Sequence, residues 1–386
     1  MNPLYASMPT TIFEKMSGLA RETGSINLGQ GFPDSNGPAD VVAAAAAALT
    51  DASNQYPPMA GLAVLRQAVA GHYRHHQQIA LDADREVIIT SGATEALAAS
   101  ILALVSPGDT VLLFQPLYDA YLPLVLRAGG IPRFVRLEPP HWRLTAEALD
   151  AAFTPDVRLA ILNNPLNPTA SMFSAEELAL LADRVVRNDA VVICDEVWEH
   201  VVFDGRRHVP LMALPGMRDR TVKIGSGGKI FSLTGWKVGW MCAAPRLAEP
   251  LSRAHQFLTF TTAPNLQAAV AHGLGKDDGY FTAMRADFAR SRDRLVQGLG
   301  EAGYVTLPSA GTYFVPIDLA ASGIMLDDAG FCDRLVRDHG VAAIPVSAFY
   351  AENPVTSVVR LCFAKRDETL DPAIGRLADA RRAMAR

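Results

Sequence analysis

From position 86 onward the chain alternates short β-branched runs with longer stretches of helical pattern, and few folds accommodate that alternation. Residues 86–90 (EVIIT) read as a strand and 94–105 as the helix that follows. Further strands are expected at 110–114, 133–137, 157–162, 190–194, 221–225 and 236–243. Several are apolar almost throughout, the mark of strands buried on both faces of a mainly parallel sheet. Between them lie helical segments such as 174–187, which opens on a capping box, Ser174 with Glu177. The pattern predicts an α/β architecture with helices on both faces of a mainly parallel central sheet.

After about position 279 the texture changes. A long amphipathic helix is expected over 280–302, followed by a shorter α+β pattern to the end. Residues before about 36 lack the strand–helix alternation and are expected to pack against that C-terminal part. A chain of 386 residues exceeds what one ordinary core holds. The expected division is a large domain over 37–279 and a small α+β domain built from 1–36 and 280–386.

Hydrophobic residues at 49% and charged residues at 19% fit a globular chain with a sizeable core. A formal net charge of −5, without any dense Lys/Arg run, argues against nucleic acid or an anionic membrane as partner. The terminal cluster Arg381, Arg382 and Arg386 is expected to complement the dipole at the end of a last helix. Cys194, Cys242, Cys332 and Cys362 form no C-x-x-C pair, and reduced core thiols are expected. The N-terminus has neither a basic start nor an apolar h-region, and the small-apolar run 41–49 is too short to span a membrane. A cytoplasmic protein is expected.

Ligands of open α/β sheets sit beyond the carboxyl ends of the strands. Three polar clusters fall there. Asp195 ends the strand AVVIC, the segment from Asn163 to Thr169 (NNPLNPT) follows VRLAIL, and Gly225-Ser226-Gly227-Gly228-Lys229 follows TVKI. Singly, each also reads as a turn, a helix cap or a solvated lysine. The lysine loop is not a P-loop, because Lys223 and Ile230 stand where Gly and Ser/Thr are required. It is not a dinucleotide fingerprint, since Ile230 takes the place of the last glycine, and no G-x-S-x-G elbow occurs. His72 and His76 have the spacing of a helical zinc pair but lack the H-E-x-x-H glutamate, and read as a solvated helix face. Together the three clusters suit an aldehyde cofactor: a lysine can hold it as an imine, and a strand-end carboxylate can keep a pyridine nitrogen protonated. A serine hydroxyl and helix-start amides can hold its phosphate.

The segment from Ser226 to Gly239 (SGGKIFSLTGWKVG) resembles the lysine signature of class I/II aminotransferases of the aspartate aminotransferase fold. The resemblance also takes in Asn27-Leu28-Gly29-Gln30-Gly31-Phe32-Pro33-Asp34, Asn54-Gln55-Tyr56, Ser91-Gly92-Ala93-Thr94-Glu95-Ala96, Asn167-Pro168-Thr169, Asp195-Glu196-Val197 and Val359-Arg360-Leu361-Cys362-Phe363. It is nearest to the branch of kynurenine, glutamine–phenylpyruvate and methionine aminotransferases. It implies the type I fold of pyridoxal-phosphate enzymes and a ping-pong transamination of a neutral, aromatic or sulfur-containing amino acid against a 2-oxo acid.

Residue by residue, the resemblance implies that Lys229 forms the Schiff base with pyridoxal 5'-phosphate and acts as the proton-moving base. Asp195 would pair with the pyridine nitrogen, Tyr118 would stack on the ring, and Asn167 would hydrogen-bond its phenolic oxygen. Ala93, Thr94, Ser226 and Lys237 would hold the phosphate, Lys237 as a point charge where many relatives carry Arg. Tyr56 would reach the phosphate of a neighbouring subunit, implying a homodimer with shared sites. Arg360 would grip the substrate α-carboxylate, with Gly31 beside it. Trp198 departs from the family, where Tyr is usual. Either its N–H replaces the tyrosine hydroxyl or Asn167 serves alone, and a higher imine pKa is expected. Phe349 and Tyr350 are candidates for the side-chain pocket, with a packed loop as the other reading. No metal is expected. Two rival functions share the fold: β-elimination of cysteine conjugates or cystathionine on the same cofactor, and a non-catalytic module that senses it. The second usually carries a DNA-binding segment, and no room for one is expected before Asn27.

Overall fold

Seven strands build the main sheet of the computed structural model, which describes residues 1–385. Across the sheet they run Val87–Thr90, Gly239–Cys242, Thr221–Ser226, Val191–Asp195, Val157–Asn163, Thr110–Gln115 and Ile131–Arg136. All point the same way except Gly239–Cys242, which pairs antiparallel with both neighbours. The inner strands are buried along almost their whole length, as continuous apolar runs require when helices cover both faces. The edge strand Ile131–Arg136 is mostly part-exposed and carries Pro132 and two arginines, features that blunt an open edge.

Each expected strand is present. The last is shorter than 236–243, because Thr234–Trp236 forms a 3-10 turn and Lys237 adopts a left-handed conformation with φ 55°. That conformation is incompatible with an extended run. The capping box at Ser174 has both arms: its hydroxyl accepts from Glu177 N–H at 3.2 Å, and Glu177 accepts from Ser174 N–H at 2.7 Å. The long helix expected near 280 spans Asp278–Glu301 and is N-capped by Asp277.

A second, antiparallel sheet holds Ile344–Pro345, Val358–Cys362, Phe314–Asp318 and Val305–Thr306, in that order. The N-terminal segment joins it from a distance in sequence. Ile26–Asn27 pairs with Val341–Ala342, and Cys362 N–H donates to Leu28 O at 2.7 Å. Arg360 therefore lies on an inner strand, between Pro316 and Ile344, and points its charge from a rigid support.

All four cysteines are buried free thiols. The last helix, Asp367–Met384, carries Arg381 and Arg382 in its final turn, while Arg386 lies outside the described residues. Among the described residues no helix is long and apolar enough to cross a membrane. One expectation fails. His72 is only 4% exposed and belongs to no solvated face, because the helix Ala63–Gln77 turns it onto His200.

Candidate active site

Three strand ends of the main sheet converge on one point. At the end of Val157–Asn163 the side chain of Asn163 ties two loops together. Its Nδ2 donates to Asp195 O at 2.9 Å, and its Oδ1 accepts from Asn167 N–H at 2.8 Å. This fixes Asn167 relative to Asp195, the last residue of the neighbouring strand. Ser226 ends the next strand, and the short helix Gly227–Ile230 carries Lys229. The lysine main chain is held as well, since Tyr313 donates its hydroxyl to Lys229 O at 2.7 Å.

Lys229 keeps part of its surface open to a cavity of 260 Å³ and donates to Gly31 O at 3.3 Å. Desolvation nevertheless pulls its pKa down to about 8. Its Nζ lies 4.5 Å from the centroid of the Trp198 ring, so the indole offers the lysine its face. Trp198 is itself wedged edge-on against Tyr313, at 4.6 Å between centroids.

Asp195 is buried, and burial raises its pKa; the hydrogen bond from Tyr121 opposes that rise. Tyr121 O–H donates to Oδ2 at 2.6 Å, while Oδ1 is buried without a partner. An orphaned carboxylate oxygen at this depth is costly unless something donates to it. A protonated pyridine nitrogen is a donor of the right kind, so the residues present fit the cofactor.

A second feature fits its phosphate. The helix Gly92–Leu104 follows Val87–Thr90, and no side chain caps it. Its first N–H groups, those of Ala93 and Thr94, remain available to an anion. Lys237 brings its ammonium to 3.5 Å from Thr94 Oγ1. Ser226 pairs with Gly239 across the sheet, and a Cβ at Gly239 would come within 2.8 Å of Ala93 N. Only glycine permits that approach, which draws Ser226, Ala93, Thr94 and Lys237 into one cradle.

Arg360 is buried against the same cavity, and burial lowers its pKa to about 9. Nη1 donates to Asn167 Oδ1 at 2.7 Å and Nη2 to Gly29 O at 2.6 Å, while Nε has no partner. The guanidinium lies 3.9 Å from the Phe314 ring centroid. With its carbonyl taken by Arg360, Asn167 has its amide N–H2 left to offer.

The cavity thus brings together Gly31, Tyr118, Asn167, Trp198, Lys229 and Arg360 of the residues singled out by sequence. Tyr56 stands apart, 84% exposed with its ring against Phe260. Phe349 and Tyr350 do not line the cavity. Phe349 is buried behind Phe13, and Tyr350 donates to Leu137 O at 2.7 Å, so the packed-loop reading holds. Four contributors escaped sequence reasoning: Phe13, Gln30 and Phe314 in the wall, and Tyr121 behind Asp195. Gln30 lay within the quoted Asn27–Asp34 motif without a role, and Tyr121 stood three residues after Tyr118; the two phenylalanines carried no signal.

This fold and this arrangement of residues define an aminotransferase. Residues 23–377 match the model of the family "Aminotransferase class I and II". The chain is similar to a probable N-succinyldiaminopimelate aminotransferase of Mycobacterium tuberculosis, with 44% identity over 96% of each chain. It is also similar to the methionine aminotransferase of Escherichia coli, with 40% identity over 95% of each. A solved structure of the M. tuberculosis N-succinyldiaminopimelate aminotransferase superposes with a TM-score of 0.95, covering 98% of this chain and 100% of that one. The chain belongs to the class I and II aminotransferases, and it is a transaminase acting on amino acids and 2-oxo acids.

Proposed function

We propose that this transaminase uses pyridoxal 5'-phosphate held by Lys229 and prefers neutral amino acids with aromatic, sulfur-containing or amide side chains. The composition of the cavity wall carries the substrate reading. Apart from Lys229 and Arg360, its lining residues are uncharged, and four are aromatic: Phe13, Tyr118, Trp198 and Phe314. Aromatic walls favour aromatic rings and thioethers. Gln30 adds one amide for a polar tip. N-succinyldiaminopimelate carries more than one carboxylate, and beyond Arg360 the lining offers only Lys229, which the cofactor would occupy.

The side-chain positions support these roles. Asp195 Oδ1 would receive the pyridine N–H, Asn167 N–H2 would donate to the phenolic oxygen, and Tyr118 would cover the ring. Ala93, Thr94, Ser226 and Lys237 hold the phosphate. Bound there, the cofactor supplies an electron sink for the carbanion left when Cα loses its proton. Arg360 clamps the substrate α-carboxylate beside Gly31 and so orients the Cα–H bond. Lys229 Nζ, whose burial disfavours the charged form, takes that proton and can return it.

We also propose a homodimer. Tyr56, Phe257, Leu258 and Phe260 are all exposed, an apolar surface suited to a second copy that would bring Tyr56 to the neighbouring phosphate cradle. Two domains, 37–279 and the combined ends 1–36 and 280–386, would close on the substrate between them. The pairing of Ile26–Asn27 with Val341–Ala342 supports that grouping of the ends.

A half-reaction panel tests the substrate proposal. The yellow enzyme is mixed with single amino acids while conversion of the bound cofactor to its amine form is followed by absorbance. Methionine, phenylalanine, glutamine or kynurenine should convert it faster than aspartate. Faster reaction with acidic amino acids would sink the substrate reading. Pyruvate and ammonia released without an oxo acid would replace transamination of that donor by β-elimination.

A further inference from the structure

Away from the cavity, five imidazole and carboxylate groups gather where the helix Ala63–Gln77 ends against the start of Asp278–Glu301. His75 and His76 occupy the last turn of the first helix. Asp278 occupies the first turn of the second, directly after its N-cap Asp277. His75 Nε2 lies 2.9 Å from Asp278 Oδ1, and His76 Nδ1 lies 3.8 Å from the same oxygen. The three ligand atoms all fall within 4.8 Å of one another. Around a tetrahedral zinc ion with bonds of ~2.0–2.1 Å, ligand atoms sit about 3.3 Å apart. The two contacts bracket that separation, and small side-chain rotations reach it.

We propose that His75, His76 and Asp278 form a binding site for a divalent transition-metal ion, Zn²⁺ by ligand preference, with water completing the coordination. Two imidazoles and a carboxylate suit Zn²⁺ far better than Mg²⁺ or Ca²⁺, which take oxygen ligands.

Three further observations support the site. It opens on a cavity of 360 Å³, room for an ion with its waters. His72 lines that cavity, is 4% exposed, and has an Nδ1 buried without a partner. The polar wall is therefore built and under-satisfied. The inner ligand is also held in place. His76 is packed against the rings of His72, Phe281 and His200, with centroids 4.4, 4.8 and 5.0 Å away, so less ordering is required on binding.

Local charge favours a cation. The carbonyl end of Ala63–Gln77 carries the negative end of its dipole. The opposite dipole end, at the start of Asp278–Glu301, is countered by Asp277 and Asp278. Lys276 borders the cavity, but its ammonium is engaged by Asp40 and lies over the Tyr280 ring. Arg285 acts on His76 and Asp278, and Arg74 shares the last helical turn with both histidines, so these two are the positive groups the ion must outweigh. The spacing that singled out His72 and His76 was thus misleading. His72 faces inward to His200, and the adjacent residues His75 and His76 converge because Asp278 reaches them from another helix.

An ion here would staple the helix Ala63–Gln77 to the helix Asp278–Glu301, stabilising the folded chain by mass action. The test uses the full-length, tag-free protein stripped with chelator. Co²⁺ is titrated in while the visible absorption of tetrahedral cobalt is followed, at wavelengths beyond those of the cofactor, and Zn²⁺ binding is measured calorimetrically. One ion per chain is expected, with a Kd of roughly micromolar order and a higher Tm. His75→Ala and Asp278→Asn, both substitutions of exposed side chains, should each weaken binding by about tenfold or more. Both should abolish the metal-dependent rise in Tm and leave transamination unchanged. No cobalt absorption from the wild-type protein up to millimolar metal would overturn the proposal. Binding that survives both substitutions would place the ion elsewhere and overturn it equally.

Discussion

Tyr121 donates its hydroxyl to Asp195 Oδ2 at 2.6 Å, and Oδ1 of the same carboxylate is left buried with no partner. The tyrosine holds the carboxylate charged and turned, so that its second oxygen is the one available to a pyridine nitrogen. Burial raises the Asp195 pKa, and the tyrosine opposes it.

Tyr121→Phe removes the opposing hydrogen bond, so the carboxyl should keep its proton to higher pH. A hydrogen bond to a charged group contributes roughly 1.5–3 kcal/mol, about one to two pH units. The acidic limb of the pH–rate profile should move up by that amount, and the rate along that limb should fall about tenfold or more. An unmoved limb would show that Tyr121 is only packing.

Arg360 reaches Asn167 and Gly29 through separate nitrogens while facing the cavity. Lysine has one ammonium and cannot reproduce that fork. Arg360→Lys should raise KM for the amino acid about 10–100-fold, the loss of roughly 1.4–2.8 kcal/mol. Half-reaction rates against amino acid concentration measure it. An unchanged KM would remove the carboxylate clamp from Arg360.

The sheet was legible because its strands are buried on both faces and therefore apolar without interruption, as in Val157–Asn163 and Val191–Asp195. Their order was not, nor the reversal at Gly239–Cys242, because pairing partners lie far apart in sequence and leave no local mark. The same division holds for the cavity. Asp195, Asn167 and Lys229 announced themselves as polar residues at strand ends. Phe13 and Phe314 look like any core aromatic until the N-terminal segment and the second sheet bring them to the wall. His72 was misread because helical spacing tells which residues share a face and not what covers it.

Lys229 has a depressed pKa, so the sign of its effect on stability is set. In the cofactor-free protein the lysine costs stability wherever it is charged in both states, below about 8. The cost fades as pH rises from there toward 10.5, where the unfolded chain also loses the proton. Lys229→Met should therefore stabilise the cofactor-free protein by about 2–3 kcal/mol at neutral pH. The gain should shrink steadily above pH 8. Chemical denaturation across that range measures it, and a pH-independent difference would contradict the reading.

Trp198 presents its ring face to Lys229 Nζ at 4.5 Å, which favours the charged nitrogen. A contact of this kind contributes about 0.5–2 kcal/mol, from under half a pH unit to somewhat above one. Titrating the visible absorbance of the bound cofactor should give a lower pKa for Trp198→Tyr than for wild type. Identical curves would remove Trp198 from the tuning of that nitrogen.

Borohydride reduction tests whether Lys229 carries the cofactor. The protein is reduced while yellow, digested, and its peptides are mapped by mass spectrometry. One pyridoxyl-phosphate adduct is expected, on the peptide containing Lys229, and none on the Lys223 or Lys237 peptides. A stoichiometric adduct on another lysine, or a coloured protein with no adduct at all, would contradict it.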